Sequence, residues 1–282
     1  MNYRHAYHAG NHGDVLKHVV LALVIERLKK KDKPFRVVDA HGGIGTYDLS
    51  GIEAGKTREW EAGIGRMAEA FAADVEALLA PYRQAIAALN GGGGLARYPG
   101  SPWIAAHLMR GGDRLIANEL HPDDKALLET CFRHDRRVSV TGVDAGVSIK
   151  ANLPPPERRG LVLIDPPYEQ KDEAVRAVGM LAEGLKRFAT GCFVLWYPVK
   201  ADGLAAWLCS AVQALGVPGT LNVEMRVREA FGEGGLAGSG LVIVNPPWRL
   251  DRDLEILLPA LARRLGLGSW GQGSACWLLP PN

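Results

Sequence analysis

The chain is poor in cysteine: Cys131, Cys192, Cys209 and Cys276 stand apart, with no Cys-x-x-Cys pair among them. That spacing speaks against a zinc knuckle or a disulfide scaffold and suits a reducing compartment. Long apolar runs are missing as well. The longest, Val19–Ile25, has seven residues between His18 and Glu26, against the roughly 20 that a membrane-spanning helix needs. No apolar signal segment follows the N-terminus, so a soluble, cytoplasmic protein with no membrane partner is the expectation. Net charge is nearly absent, at +2 over 282 residues, so affinity for a polyanion would have to come from local clusters. The dinucleotide fingerprint G-x-G-x-x-G is not matched either, which disfavours a nicotinamide dehydrogenase.

What is present reads as one large domain, or one domain with an insert. A helix is predicted from Asp14, as its cap, to about Lys31, with Val15, Leu16, Val19, Val20, Leu23, Val24 and Leu28 at helical spacing. Short apolar runs follow, each ending in a polar residue: Phe35–Asp39, Leu115–Glu119, Val138–Asp144, Leu161–Asp165 and Cys192–Tyr197. Helical stretches such as Asp123–Phe132 and Asp172–Phe188 separate them. Strand–helix alternation predicts a parallel sheet covered on both faces. Ligands in such sheets bind beyond the carboxyl ends of the strands, where this chain carries Asp39, Glu119, Asp144 and Asp165.

Two stretches depart from plain alternation. About 70 residues separate the first strand from Leu115, whereas a whole βαβ unit takes ~30. Residues 50–98 are therefore expected to be a helical insertion, with helices over Thr57–Ala72 and Asp74–Asn90, between a first part (1–49) and the remainder (99–282) of one domain. Toward the C-terminus, Leu221–Arg228 and Leu241–Asn245 flank a glycine-rich loop, Gly232–Gly240, and are expected to form a hairpin.

Asp39-Ala-His-Gly-Gly-Ile-Gly45 directly follows the first strand. An acid at the strand end and glycines in the turn let a ligand lie against the backbone. Glu119 could accept hydrogen bonds from both ribose hydroxyls of a nucleoside, and Asp144 from an adenine amino group; each acid taken singly reads first as a cap or a salt-bridge partner, and only in series at consecutive strand ends do they read as a nucleoside pocket. The sharpest signal is Asp165-Pro-Pro-Tyr168. Two prolines remove two backbone donors, so the Asp165 carboxylate and the Pro166 carbonyl offer acceptors to the two hydrogens of an exocyclic amine, and Tyr168 offers a flat face for its ring. Asn245-Pro-Pro-Trp248 is a rival. As the end of a hairpin's return leg it should fall on the opposite edge of the sheet, which makes it a structural turn. His8 and His12 are four residues apart, but no cysteine or acid pair completes a metal site, and none is expected.

With both motifs in place the chain resembles the S-adenosylmethionine-dependent adenine-N6 methyltransferases. More closely, it is similar to the bacterial family that methylates one adenine, adenine 2030, of 23S ribosomal RNA. The likeness runs nearly the full length: Tyr3-Arg-His5, His8-Ala-Gly-Asn-His12, Asp14-Val-Leu-Lys-His18, Asp39–Gly45, Tyr98-Pro-Gly-Ser-Pro102, Glu119-Leu-His-Pro122, Leu163-Ile-Asp-Pro-Pro-Tyr168, Trp196-Tyr-Pro198 and Asn245-Pro-Pro-Trp248. It implies an α/β, Rossmann-like class I methyltransferase fold with a mostly parallel seven-stranded sheet. It also implies cofactor contacts from His18, His41, Gly43, Ser101, Glu119, Asp144, Ala145 and Asp165. Asp165, Pro166 and Tyr168 would form the catalytic turn, and Tyr3, Arg4, Lys17 and Tyr168 would meet the RNA. Ser101 makes separate sense as the cap of a helix opened by Pro102. In the family pattern glycine directly follows the acid at 144, whereas here Ala145 precedes Gly146. Lys56, Arg58 and Arg66 of the insertion are compatible with added RNA-binding surface, the alternative being a merely supportive helical lid, and a monomer with no obligatory protein partner is implied. The competing readings are a DNA adenine methyltransferase, a protein glutamine methyltransferase and a non-catalytic RNA-binding ribosome-assembly factor.

Overall fold

The computed structural model describes residues 5–229, 235–268 and 270–282. Tyr3 and Arg4 fall outside these residues, as does part of the glycine-rich loop. The elements run α1 (His12–Lys29), β1 (Arg36–Asp39), β2 (Thr46–Asp48), α2 (Ile52–Thr57), α3 (Glu59–Ala62), α4 (Ala73–Leu89) and β3 (Arg97–Pro99). After these come α5 (Ser101–Leu108), β4 (Arg114–Asn118), α6 (Pro122–Phe132), β5 (Val138–Thr141), α7 (Ala145–Asn152), β6 (Gly160–Ile164), α8 (Glu173–Arg187) and β7 (Cys192–Val199). The chain closes with α9 (Leu204–Gln213), β8 (Thr220–Arg226), β9 (Gly238–Val244), α10 (Leu250–Leu265) and β10 (Gln272–Leu279).

Eight strands form the main sheet in the order β10-β8-β9-β7-β6-β1-β4-β5. β5, β4, β1, β6 and β7 are mutually parallel, and β9 runs antiparallel between β7 and β8. The chain moves outward from β1 through β4 to β5, then returns to the other side of β1 as β6. That reversal opens a crevice beyond the carboxyl ends of β1, β4 and β6. The fold is thus α/β and Rossmann-like. The seven strands expected from the sequence are joined by an eighth, β10, antiparallel to β8. Its small and polar residues (Gln272, Gly273, Ser274, Ala275) give little strand signal. Gly273 lets it approach α10 closely, since a Cβ there would meet the Leu258 carbonyl at 2.7 Å.

One apolar core lies on each face of the sheet. α1 is buried from Gly13 to Ile25 on every side, because α4, α5 and α10 pack around it above the sheet. This explains its lack of a polar face. Its cap is Asn11 and not Asp14: the Asn11 side chain accepts from the Asp14 amide at 3.0 Å, and Asp14 sits inside the first turn. The stretch from α2 to α4 is bracketed by a two-stranded antiparallel pair, with Tyr47 of β2 opposite Tyr98 of β3. The helix expected over Thr57–Ala72 is broken. Arg58 is left-handed at φ 51°, and Gly63 lies so close to the N-terminal segment that a Cβ would meet the Gly10 carbonyl at 2.0 Å. Ile64 then donates its amide to that carbonyl at 2.8 Å. Docking on the tail, not helical propensity, decides this stretch.

Candidate active site

The loop after β1 is threaded between its two neighbours. The Ala40 amide donates to the Leu163 carbonyl at 3.0 Å and the Gly42 amide to the Asn118 carbonyl at 2.7 Å. Gly43 and Gly45 take φ of 59° and 82°, which only glycine adopts at low cost. The result is a cavity of about 620 Å³ beyond the strand ends, within the range of ordinary small-ligand sites. Of the site residues expected from the sequence, His18, His41, Gly43, Ser101, Glu119, Asp144, Ala145, Asp165, Pro166, Tyr168 and Lys17 all line it.

Asp165 leaves the end of β6 with its side chain 14% exposed, facing Lys17 of α1. The Lys17 ammonium, itself 5% exposed, lies 2.5 Å from one Asp165 oxygen and 2.8 Å from Asp14. These two carboxylates hold Lys17 well above its ordinary pKa despite burial, which acts against the charge. Asp14 is held well below the usual carboxylate range: burial raises it, but His5, Lys17 and His18 together outweigh that. Asp14 also accepts from the Gly10 amide at 2.9 Å and pairs with His5 at 2.9 Å. By local pattern alone Asp14 is a helix cap. Its spacing of three from Lys17 on one helix face was the available signal for an ion pair.

The imidazole of His41 accepts the Asp165 amide on Nδ1 at 3.1 Å. Burial pushes its pKa down to about 4, so the ring is neutral with its proton assigned to Nε2. Asp39 is pushed up to about 6, by burial first and by nearby Asp165 as well. Ser101 bonds Asp39 and does not cap α5, whose cap is Gly100. Glu119 accepts from the Gly43 and His121 amides, each at 2.9 Å, and burial raises its pKa. Each oxygen still has a lone pair for a ligand hydroxyl. Asp144 caps α7 through the Gly146 amide at 2.9 Å and pairs with Arg176 at 3.0 Å while bordering the cavity.

Tyr168 is fixed at φ 55° and donates its hydroxyl to the Trp196 carbonyl at 2.7 Å. The two rings lie 5.8 Å apart, tilted by 57°. Asn245 has the same backbone form at φ 54°, but its amide nitrogen donates to the Ala189 and Gly191 carbonyls at 2.8 and 2.9 Å. Those carbonyls precede β7, at the opposite end of the strands from the cavity, and none of residues 245–248 lines it. His8 pairs with Glu59 at 2.9 Å, and among the described residues no cluster of three or more His, Cys, Asp or Glu could hold a metal. Arg66 is not an exposed contact: it donates to the Gly266 carbonyl at 2.7 Å. Arg58 pairs with Glu61, and Lys56 sits over the Tyr7 ring at 5.5 Å. Among the described residues no helix is long and apolar enough to cross a membrane.

The Rossmann-like sheet, its glycine turn, the acids at its strand ends and the Asp-Pro-Pro-Tyr turn meet in one cavity, an arrangement of the methyltransferase class. Residues 32–279 match the family model described as "Ribosomal RNA large subunit methyltransferase D, RlmJ", and the chain belongs to that family. Two proteins called "Ribosomal RNA large subunit methyltransferase J" are similar to it over 99% of both chains: one from Haemophilus influenzae at 44% identity and one from Escherichia coli at 42%. A crystal structure of a Legionella pneumophila protein covers 95% of this chain and 97% of its own at 31% identity, with a TM-score of 0.84.

Proposed function

We propose that the chain transfers a methyl group from S-adenosylmethionine to the N6 amine of one adenine in 23S ribosomal RNA, adenine 2030 by its family likeness. The observation that carries this reading is the placing of Asp165–Tyr168 in the same cavity as His41, Gly43 and Glu119, with Asn245–Trp248 elsewhere. The cavity fits the cofactor: Gly43 brings bare backbone to its wall, Glu119 suits a ribose, and half-exposed Leu120 offers an apolar face for the adenine. The reading takes the catalytic unit to be a monomer with no obligatory protein partner. The cytoplasm is where such an RNA substrate is met.

Bound S-adenosylmethionine would supply a sulfonium-activated methyl group and leave as the neutral thioether, with Asp165 placed to take the proton that the adenine amine gives up. The residues prepare the attack of that amine. Asp165 and the Pro166 carbonyl accept the two amine hydrogens and favour a more tetrahedral nitrogen, and positioning contributes most of the acceleration. Lys17 engages Oδ2 of Asp165 and leaves Oδ1 for the amine. Asp14, Lys17 and Asp165 together carry one net negative charge, which stabilises the positive charge developing on nitrogen. Neutral His18 and His41 add none to oppose it. Tyr168 and Trp196 wall the base pocket. An adenine must leave its stack to enter.

The test is tritium transfer from labelled cofactor to protein-free 23S RNA, with duplex DNA as comparison. Transfer to RNA alone is expected. Asp165→Ala should cut it at least ~10²-fold with the fold intact; a fully active Asp165→Ala enzyme, or equal transfer to DNA, would overturn the assignment.

A further inference from the structure

The insertion reaches the cavity by a route that the methyl-transfer chemistry does not itself use. Tyr82 of α4 and Tyr98 of β3 are both fully buried, and their hydroxyl oxygens lie 3.1 Å apart. The Tyr98 hydroxyl is in turn 2.9 Å from Nδ1 of buried His18. The Tyr98 and His18 rings stack at 5.5 Å with 27° between planes. On the far side of that ring, Nε2 lies 4.0 Å from Asp14 Oδ1, and His18 borders the cavity.

Three hydroxyl and ring groups in a row can share their protons in two ways, and donor accounting separates them. If His18 carried its proton on Nδ1, it would donate to Tyr98 and Tyr98 would donate to Tyr82. The Tyr82 proton would then have no acceptor, since Tyr98 is its hydrogen-bond partner among the described residues, and if Tyr82 donated to Tyr98 instead the Tyr98 proton would be left over; in either case a lone pair on Nε2 would face the Asp14 carboxylate. In the opposite sense Tyr82 donates to Tyr98, Tyr98 donates to Nδ1, and both buried hydroxyl protons have an acceptor. The Nε2 proton then points toward Asp14 and the cavity wall. An unsatisfied buried donor is costly, so the second sense prevails.

We infer that Tyr82 and Tyr98 are positioning residues which fix His18 as the neutral Nε2–H tautomer, making it a hydrogen-bond donor for an anionic or acceptor group of the bound cofactor. The insertion thereby takes part in cofactor binding without touching the cofactor. The inference rests on the methyltransferase reading for the identity of the ligand, but the tautomer does not.

Two-bond ¹H–¹⁵N spectra of ¹⁵N-histidine-labelled, full-length protein read the tautomer directly, without ligand. Wild-type His18 is expected as Nε2–H. Tyr98→Phe keeps the ring stack and removes the donor, so Nδ1 should lose its acceptor signature. Calorimetric titration with S-adenosylmethionine should then show Kd raised about three- to tenfold, with kcat at saturating cofactor changed less than about twofold. Tyr82→Phe should leave the tautomer in place, with a smaller rise in Kd. Thermal unfolding of both variants checks that they are folded. A wild-type His18 protonated on Nδ1 overturns the inference, as does a folded Tyr98→Phe protein with unchanged tautomer and Kd. A wild-type protein with the expected tautomer but no affinity for S-adenosylmethionine overturns the functional reading, and with it the cofactor role given to His18.

Discussion

Acidification should unfold this protein steeply, because its site region holds histidines that burial keeps neutral. His12 and His41 are lowered from 6.5 to about 4 and His18 to about 3. A histidine depressed in the folded state contributes stability that is complete above 6.5 and disappears as pH falls through its folded value. Asp39 acts in the other direction. Raised from 3.8 to about 6, it contributes stability present below 3.8 and lost as pH rises through 6, so lowering pH across that range relieves it. Near pH 5 the unfolded chain holds close to three protons on these histidines and the folded chain close to one, on Asp39. The difference of about two protons corresponds to a slope of roughly 2.7 kcal/mol of unfolding free energy per pH unit. His41 borders the open cavity, whose water moderates its burial penalty, so this slope is an upper value, and the upward shift of Glu119 trims it further. Urea unfolding at pH 7, 6, 5.5, 5 and 4.5 measures it. A stability that stays flat between pH 6.5 and 4.5, or histidines titrating near 6.5 by NMR, would refute the reasoning.

Other expectations follow from local geometry. Gly43→Ala places a Cβ 2.2 Å from the Tyr47 hydroxyl in a left-handed backbone; cofactor Kd should rise about tenfold or more by calorimetry. Tyr168→Ala removes the stacking face and should raise the KM for RNA by roughly 5- to 150-fold, whereas Tyr168→Phe, losing only the bond to the Trp196 carbonyl, should stay close to wild type. Asn245→Ala loses two side-chain hydrogen bonds and a tolerated left-handed residue. It should cost about 2–3 kcal/mol in denaturant unfolding while the folded enzyme keeps its kcat; a lost kcat with unchanged stability would contradict its structural role.

The sequence by itself determined the parallel centre of the sheet, because each of its strands is a short apolar run that ends on a polar residue. It also located the Asp39–Gly45 and Asp165–Tyr168 turns, because prolines and glycines constrain the backbone locally whatever packs around them, and both turns lie within a few residues of a strand end. Strand direction even separated Asp165 from Asn245. Only the tertiary structure decided the rest. β10 forms because α10 and β8 provide an edge for it, not because Gln272–Leu279 favours a strand. The break at Arg58 and Gly63 comes from contact with Gly10, some 50 residues away in the chain. Asp14, a cap by local pattern, became the buried anchor of Lys17 once α1 was enclosed on every side. Tyr82 and Tyr98 came within reach of His18 only when α4 and β3 packed against that helix. Local preferences act through neighbours in sequence; buried charge and hydrogen-bond networks depend on which distant groups the packed chain brings together.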